Sequence, residues 1–319
     1  KEILLSLAAT SEKHIALPML GRTHGQPAVT TTFGKEYANF LSRLFREYQK
    51  LIACPLTGKM NGAVGNYNAH HFLEEDVNWV QFSEEYAGAL GLKPSLYTTQ
   101  INPPEDIIEF LQILQRINNI LIDFAQDNWR YISDDWIGQK RKESEVGSST
   151  MAQKVNPIDF ENAEGNFGKA NALIGFLVEK LPKSRLQRDL SDSTVMREIG
   201  PILDKILIGL EKIKTGLSRT FPNEFVMSEY LNKNWAILAE PVQLLLRKET
   251  DIADPYTKVK ELVRGKLLTW PDYNQWIHTL PASWEVKKKL LDLTPSGYVG
   301  LAEELTRTLV AEVRTSLAA

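Results

Sequence analysis

Four short segments of the 319-residue chain concentrate side chains able to hold anions and move protons. The first is Gly21-Arg22-Thr23-His24-Gly25-Gln26-Pro27-Ala28. A connection between two helices needs glycine and proline, but not Arg, Thr, His and Gln together. An imidazole in that company is a candidate general acid or base at neutral pH. Alone, His24 reads as a satisfied loop histidine, and its neighbours turn the reading toward function. The second runs from Gly58 to His70, with Asn61-Gly62, Gly65-Asn66 and Asn68. It reads either as a tight hairpin or as backbone and amide groups offered to a polar ligand.

The third is Glu145-Val146-Gly147-Ser148-Ser149-Thr150-Met151-Ala152-Gln153-Lys154-Val155-Asn156-Pro157. A loop of this length is often a solvated connector. Here it could place a hydroxyl, an ammonium and backbone N–H donors together, with Asn156-Pro157 as a cap-like exit. The fourth, Ser184 to Arg197, has Ser193 or Asp192 where the next helix should be capped. Arg188 and Arg197 flank that cap and exceed what capping needs. Free N–H groups of a helix start, the Ser193 and Thr194 hydroxyls and two guanidinium groups would suit a phosphate.

The elements that must carry these segments are helical. Phe33, Tyr37, Phe40, Leu44, Tyr48 and Leu51 recur at alternating spacings of three and four, which implies an amphipathic helix over 31–53. Asn102-Pro103-Pro104-Glu105-Asp106 is a helix-start signal, and the apolar positions from Ile107 to Phe124 imply a helix to about Trp136. Two further long helices are expected over 158–181 and 193–219. The β-like exception is Thr57–Ala69, where Asn61-Gly62 signals a two-residue hairpin turn. After Thr220, prolines at 222, 241, 255, 271, 281 and 295 break the pattern into shorter helices. The reading is an all-α fold: a long-helix bundle over 1–219 that carries the chemistry, and a smaller helical domain over 220–319.

Composition narrows the function. A net charge of −3 gives no global field for nucleic acid or for a membrane surface, so neither partner is expected. One cysteine, Cys54, excludes an internal disulfide framework, fits a reducing compartment, and reads as a small buried hydrophobe. No apolar run approaches a membrane span and no signal-peptide pattern opens the chain, so a cytoplasmic location is expected. Lys1 leads straight into helical periodicity with no cap before it, which reads as a cut inside a helix with upstream residues absent.

Taken together, these segments resemble the fumarase/aspartase superfamily of helical lyases and, within it, the adenylosuccinate lyase family of the bacterial purine pathway. Gly147-Ser148-Ser149-Thr150-Met151 with Lys154 and Asn156-Pro157 matches the superfamily's signature loop, and Thr23-His24-Gly25-Gln26 its histidine motif. Gly58 to His70, Tyr97-Thr98-Thr99-Gln100-Ile101 and Ser184 to Arg197 look like that family rather than its relatives. The resemblance implies elimination of fumarate from a succinylated purine nucleotide, without metal or other cofactor. It implies Ser148 as the base and His24 as the acid, with Lys154 and Asn156 holding a carboxylate and the developing negative charge. By the same likeness Gln100 and Asn162 contact the nucleotide, and Arg188, Ser193, Thr194 and Arg197 its phosphate. Thr23 and Ser149, beside the acid and the base, belong to the substrate-binding set. It also implies a homotetramer with active sites shared between subunits, and a first domain upstream that is missing here.

Ala152-Gln153 departs from the signature, which carries proline after the methionine; a loop without it is less preorganised. Argininosuccinate lyase and fumarase are the nearest rivals, and neither substrate has a phosphate for Arg188 and Arg197. A non-catalytic helical scaffold is the rival of another class; Ser148, Lys154, Asn156 and His24 together argue against it.

Overall fold

The computed structural model describes residues 1–140, 155–263 and 268–318. In chain order the elements are α1 (Glu2–Lys13), β1 (Pro18–Thr23), β2 (Gln26–Thr32), α2 (Phe33–Ala53), β3 (Thr57–Gly58), α3 (Asn68–Leu73), α4 (Trp79–Ala89), β4 (Lys93–Pro94) and α5 (Glu105–Ser133). There follow β5 (Ile137–Gln139), α6 (Ile158–Lys180), α7 (Ser191–Met196), α8 (Ile199–Arg219), β6 (Thr220–Pro222) and α9 (Glu224–Asn232). A 3₁₀ turn at Trp235–Leu238 leads into α10 (Ala239–Glu249), α11 (Pro255–Val263), α12 (Trp270–Thr279), α13 (Trp284–Leu291) and α14 (Ala302–Ala318). The fold is all-α, and the short strands among the described residues form two-stranded ladders. Among the described residues, no helix is long and apolar enough to cross a membrane.

The chain forms two compact units, one of residues 1–42, 130–155 and 219–319, the other of 43–129 and 156–218. In the first, α1 packs on α14: Leu4, Leu7 and Ala8 are buried, as are Val310, Val313 and Leu317. Arg314 joins Glu12 at 2.6 Å across the rim of that pair. In the second, the core is the apolar stripe that the sequence shows. Leu111, Leu114, Leu121 and Phe124 of α5, Phe160, Phe167, Ile174 and Leu177 of α6, and Ile202, Ile206 and Ile213 of α8 are all buried. Phe124 meets Phe160 edge to face at 6.2 Å, the geometry favoured by aromatic quadrupoles.

Several expectations need correction. The helix expected to reach Trp136 ends at Ser133. The amide of Trp136 donates to Tyr131 O at 2.9 Å and that of Asp135 to Ile132 O at 3.1 Å, while Asp135 takes φ 59°. That pair of bonds closes a Schellman motif, with aspartate in the left-handed position that glycine usually fills. The helix expected over 193–219 is two, α7 and α8, because Pro201 cannot sit in a helix interior and falls in the first turn of α8 instead.

Asn61-Gly62 makes no hairpin. Thr57–Gly58 pairs in parallel with Lys93–Pro94, and Asn61 is fully buried with its amide spent on other segments. Finally, residues 21–28, expected as a connector between helices, lie within the antiparallel hairpin of β1 and β2. Cys54 is half-buried rather than fully buried, and burial pushes its thiol pKa up, which suppresses the reactive thiolate.

Candidate active site

His24 owes its place to backbone geometry. Thr23 pairs with Gln26 across the hairpin, so His24-Gly25 is a two-residue turn. Both turn residues have positive φ, 54° and 73°, as a type I′ turn demands. A non-glycine residue in this region is uncommon, though histidine is among those that tolerate it. Such a conformation, held by the strands on either side, is a frequent mark of a functional position. Thr23, His24 and Gln26 are exposed at the tip, where an imidazole can meet a ligand.

One bulge sets the direction of the tip. The register shifts between Leu20 and Arg22, at Gly21. A Cβ at Gly21 would lie 2.7 Å from the carbonyl oxygen of Val29, so only glycine allows the two strands to approach there. Beyond the bulge, the Arg22 guanidinium makes a 2.6 Å ion pair with Asp134. It also lies over Trp136, 4.2 Å from the ring centroid, and 5.7 Å from that of Tyr131. The sequence presents Arg22 as one more polar residue of a turn, and these contacts were not legible from it.

In the second unit, two of the four polar segments are joined through the 96–101 stretch. Buried Asn61 donates through Nδ2 to Leu96 O at 3.0 Å and accepts through Oδ1 from the Thr98 hydroxyl at 2.8 Å. Gly65, at φ 83°, passes so close to the 96–101 stretch that a Cβ would fall 2.1 Å from Thr98 O. Two residues on, the Gln100 amide donates to Gln187 O at 3.2 Å, which ties the 96–101 stretch to the arginine-bearing loop. An open cleft of about 510 Å³ lies beside it, lined by Gly65, Asn66, Tyr97, Thr98, Thr99 and Ile101 among others.

The arginine loop is organised by Asp189, not by Ser193. The Asp189 carboxylate accepts from the Ser191 hydroxyl, from the Ser191 amide at 2.7 Å and from the Arg185 amide at 3.0 Å. Those bonds, the Ser191 hydroxyl first, bring its pKa down to about 2. The N-cap expected at Ser193 or Asp192 is therefore corrected. α7 begins at Ser191, and the hydroxyls of Ser193 and Thr194 donate back to Leu190 O at 3.1 and 3.4 Å. A side chain that bonds the preceding turn is doing what serine and threonine do inside helices, not at their starts. Arg188 and Arg197 are exposed, and among the described residues neither forms an ion pair.

Asn162, on the first turns of α6, is exposed and accepts through Oδ1 from Asn166 Nδ2 at 2.9 Å. Asn156 is half-buried just ahead of α6. Ser148, Ser149 and Lys154 lie outside the described residues. Among those described, no cluster of three or more His, Cys, Asp or Glu side chains is arranged to hold a metal. The arrangement thus offers a proton-transfer group on a rigid turn in one unit. In the other it offers an open cleft of mixed polar and apolar lining, beside the stretch that bonds the arginine-bearing loop.

Comparison with known proteins defines the class first. Residues 1–171 match a family described as lyase, and residues 184–299 match the C-terminal part of adenylosuccinate lyase. Among solved structures, the fold is similar over 98% of this chain to the 3-carboxy-cis,cis-muconate lactonizing enzyme of Pseudomonas putida, with TM-score 0.80, 21% identity and 71% of that chain covered. A fumarate lyase of Mesorhizobium sp. BNC1 gives TM-score 0.78 at 19% identity, over 97% of this chain and 70% of that one. These two likenesses speak for the fold.

Closer relatives are named by sequence. The adenylosuccinate lyase of Haemophilus influenzae is 45% identical over 97% of this chain and 68% of its own length, and that of Legionella pneumophila strain Corby is 45% identical over 96% and 67%. The Escherichia coli K12 adenylosuccinate lyase is 46% identical over 90% of this chain and 62% of its own. The chain belongs to the adenylosuccinate lyase family, and it spans about two thirds of the length of these relatives.

Proposed function

We propose that the chain carries most of a lyase that releases fumarate from adenylosuccinate, leaving AMP, and from the succinylated aminoimidazole carboxamide ribotide of purine synthesis. In this reading a base takes the succinyl β-proton, the electron pair becomes the C=C bond of fumarate, and the C–N bond breaks. The departing nitrogen keeps its electron pair and is protonated by an acid. The observation that carries the reading is His24 at the tip of its two-residue turn, within the matched lyase segment.

We assign the acid to His24 and the base to Ser148. A serine hydroxyl is a poor base in water, so it needs a site from which water is excluded and a nearby cation, the part given to Lys154. Lys154 and Asn156 would also stabilise the negative charge that develops on the substrate carboxylate, the kind of electrostatic contribution that is often the largest. Gln100 and Asn162 would take the nucleotide. Arg188 and Arg197, assisted by Ser193 and Thr194, would take its phosphate, while Thr23 and Ser149 would complete the binding set. The exposure of the two arginines, which form no ion pair among the described residues, supports this part, since a phosphate would supply an anion. We also propose a cytoplasmic homotetramer with shared active sites.

The test is ultraviolet absorbance of the purified chain with adenylosuccinate and with argininosuccinate, alongside calorimetric titration of AMP. The expected result is turnover of adenylosuccinate alone and binding of AMP. Turnover of argininosuccinate, or neither turnover nor AMP binding, would refute it.

A further inference from the structure

We infer that Arg22 is a positioning residue: clamped between Asp134, Trp136 and Tyr131, it fixes the twist of the β1–β2 tip and so the direction in which His24 is presented. The inference rests on the assignment of His24 as the acid and says how that acid is held.

A two-residue turn ending in exposed strands has little of its own to resist twisting. Thr23, His24, Gly25, Gln26 and Pro27 are all exposed, so among the described residues these side chains are not packed down. The nearest group that can hold the tip is Arg22, which stands opposite Pro27 and is one residue from the closing Thr23–Gln26 pair. Its side chain is only 19% exposed, and that of Asp134 only 15%.

The receiving surface is built by the Schellman motif that ends α5. That motif commonly brings a contact between its residues C″ and C3. Here those residues are Trp136 and Tyr131, and their rings stack at 5.9 Å with an interplanar angle of 7°. The guanidinium lies over these two rings, and its charge meets the carboxylate of Asp134, the last residue before the left-handed turn. Face, edge and charge of one planar group are thus all specified, which an ammonium could not satisfy equally. The receiving surface is itself anchored: Trp136 is fully buried, its carbonyl accepts from Asn223 N at 2.8 Å, and Tyr131 donates to Glu36 at 2.7 Å. The Gly21 bulge is what allows Arg22 to reach this surface.

Asp134 also binds Arg130 at 2.9 Å. Removing Arg22 therefore leaves the carboxylate a partner, and the Arg22→Ala variant should fold. A misplacement of about 1 Å at a reacting group costs on the order of 10²-fold in rate. The expected loss is tenfold or more in kcat, with KM changed by less than about threefold, because binding groups elsewhere are untouched.

The experiment is NMR of the chain labelled at its five histidines and its glycine amides, with His24 assigned through His24→Gln. In Arg22→Ala, the His24 imidazole and Gly25 amide signals should shift or broaden while Gly138, in the β5–β6 ladder, stays in place. Arg22→Lys, which keeps the charge but not the flat face, should recover only part of the change. The kcat and KM of fumarate release are measured on the same samples. Unchanged His24 and Gly25 signals, or a loss of signal spread across Gly138 as well, would overturn the inference. Wild-type turnover in His24→Ala would instead sink the assignment of the acid, and the NMR result would still decide whether the clamp exists.

Discussion

Asn61→Ala separates the structure from the reading that its sequence invites. An Asn-Gly pair in an exposed hairpin turn would tolerate alanine at a cost of a few tenths of a kcal/mol to about 1 kcal/mol, through turn propensity alone. Here Asn61 is fully buried and holds two segments together. Each of its two hydrogen bonds is worth about 1 kcal/mol net, and an orphaned buried acceptor costs about 1–3 kcal/mol. The Thr98 hydroxyl has an alternative acceptor, Thr99 O at 3.0 Å, to which its one proton can turn, so the penalty falls on the Leu96 carbonyl. With about 1 kcal/mol for the Thr98 bond and about 1–3 kcal/mol for the Leu96 carbonyl, the sum is about 2–4 kcal/mol, or roughly 4–16 °C in Tm for a domain of this size.

Asn61→Asp should be worse at neutral pH, since a carboxylate cannot donate to Leu96 O and would be a buried charge met by the Thr98 hydroxyl but by no cation among the described residues. Burial would raise its folded-state pKa above the usual carboxylate range, so the folded chain would bind more protons and the variant would regain stability as pH falls. Denaturant melts of both variants from pH 7 to pH 5 measure this. A loss under about 0.5 kcal/mol in Asn61→Ala, or an Asn61→Asp deficit that does not shrink on acidification, would refute the reasoning.

Gly21→Ala should cost about 1–3 kcal/mol by forcing the strands apart at Val29 O, read as a drop in Tm. For Asp134, burial works to raise the pKa, but the hydrogen bonds and charges of Arg22 and Arg130 outweigh it and hold the carboxyl below its usual range. The stability this contributes is present above the unfolded carboxylate pKa of about 4 and is lost as pH falls through the lower folded value. Asp134→Asn should therefore flatten the acid limb of a Tm-against-pH curve. Arg188→Ala should raise KM more than it lowers kcat, since a phosphate is remote from the breaking C–N bond; a pure kcat effect in steady-state kinetics would count against the assignment.

The long helices were legible because burial repeats along them with the helical period. Phe33, Tyr37, Phe40 and Leu44 are buried on one face of α2, and Phe160, Ala163, Phe167 and Ala170 on one face of α6. What stayed hidden were backbone conformations carried by unexpected residues. His24 takes a position usually given to Asn or Gly, and Asp135 one usually given to Gly. The strands of the hairpin are short, rich in threonine and interrupted at Gly21, so no clean alternation marked them. Asn61-Gly62 misled for the opposite reason, because its turn chemistry was genuine but the amide was committed to Leu96 and Thr98. Ser193 looked like a cap because the sequence does not say that Asp189 already serves the start of α7. The candidate site was legible as a set of motifs. How its parts are held was not, and Ser148, Ser149 and Lys154 lie outside the described residues.

Most directly, the account stands or falls on the rate of fumarate release from adenylosuccinate by His24→Ala and Ser148→Ala, measured at saturating substrate. It predicts losses of roughly 10²–10⁴-fold in each, the usual worth of a positioned acid or base, with substrate still bound. Release at the unsubstituted rate in either variant would contradict it.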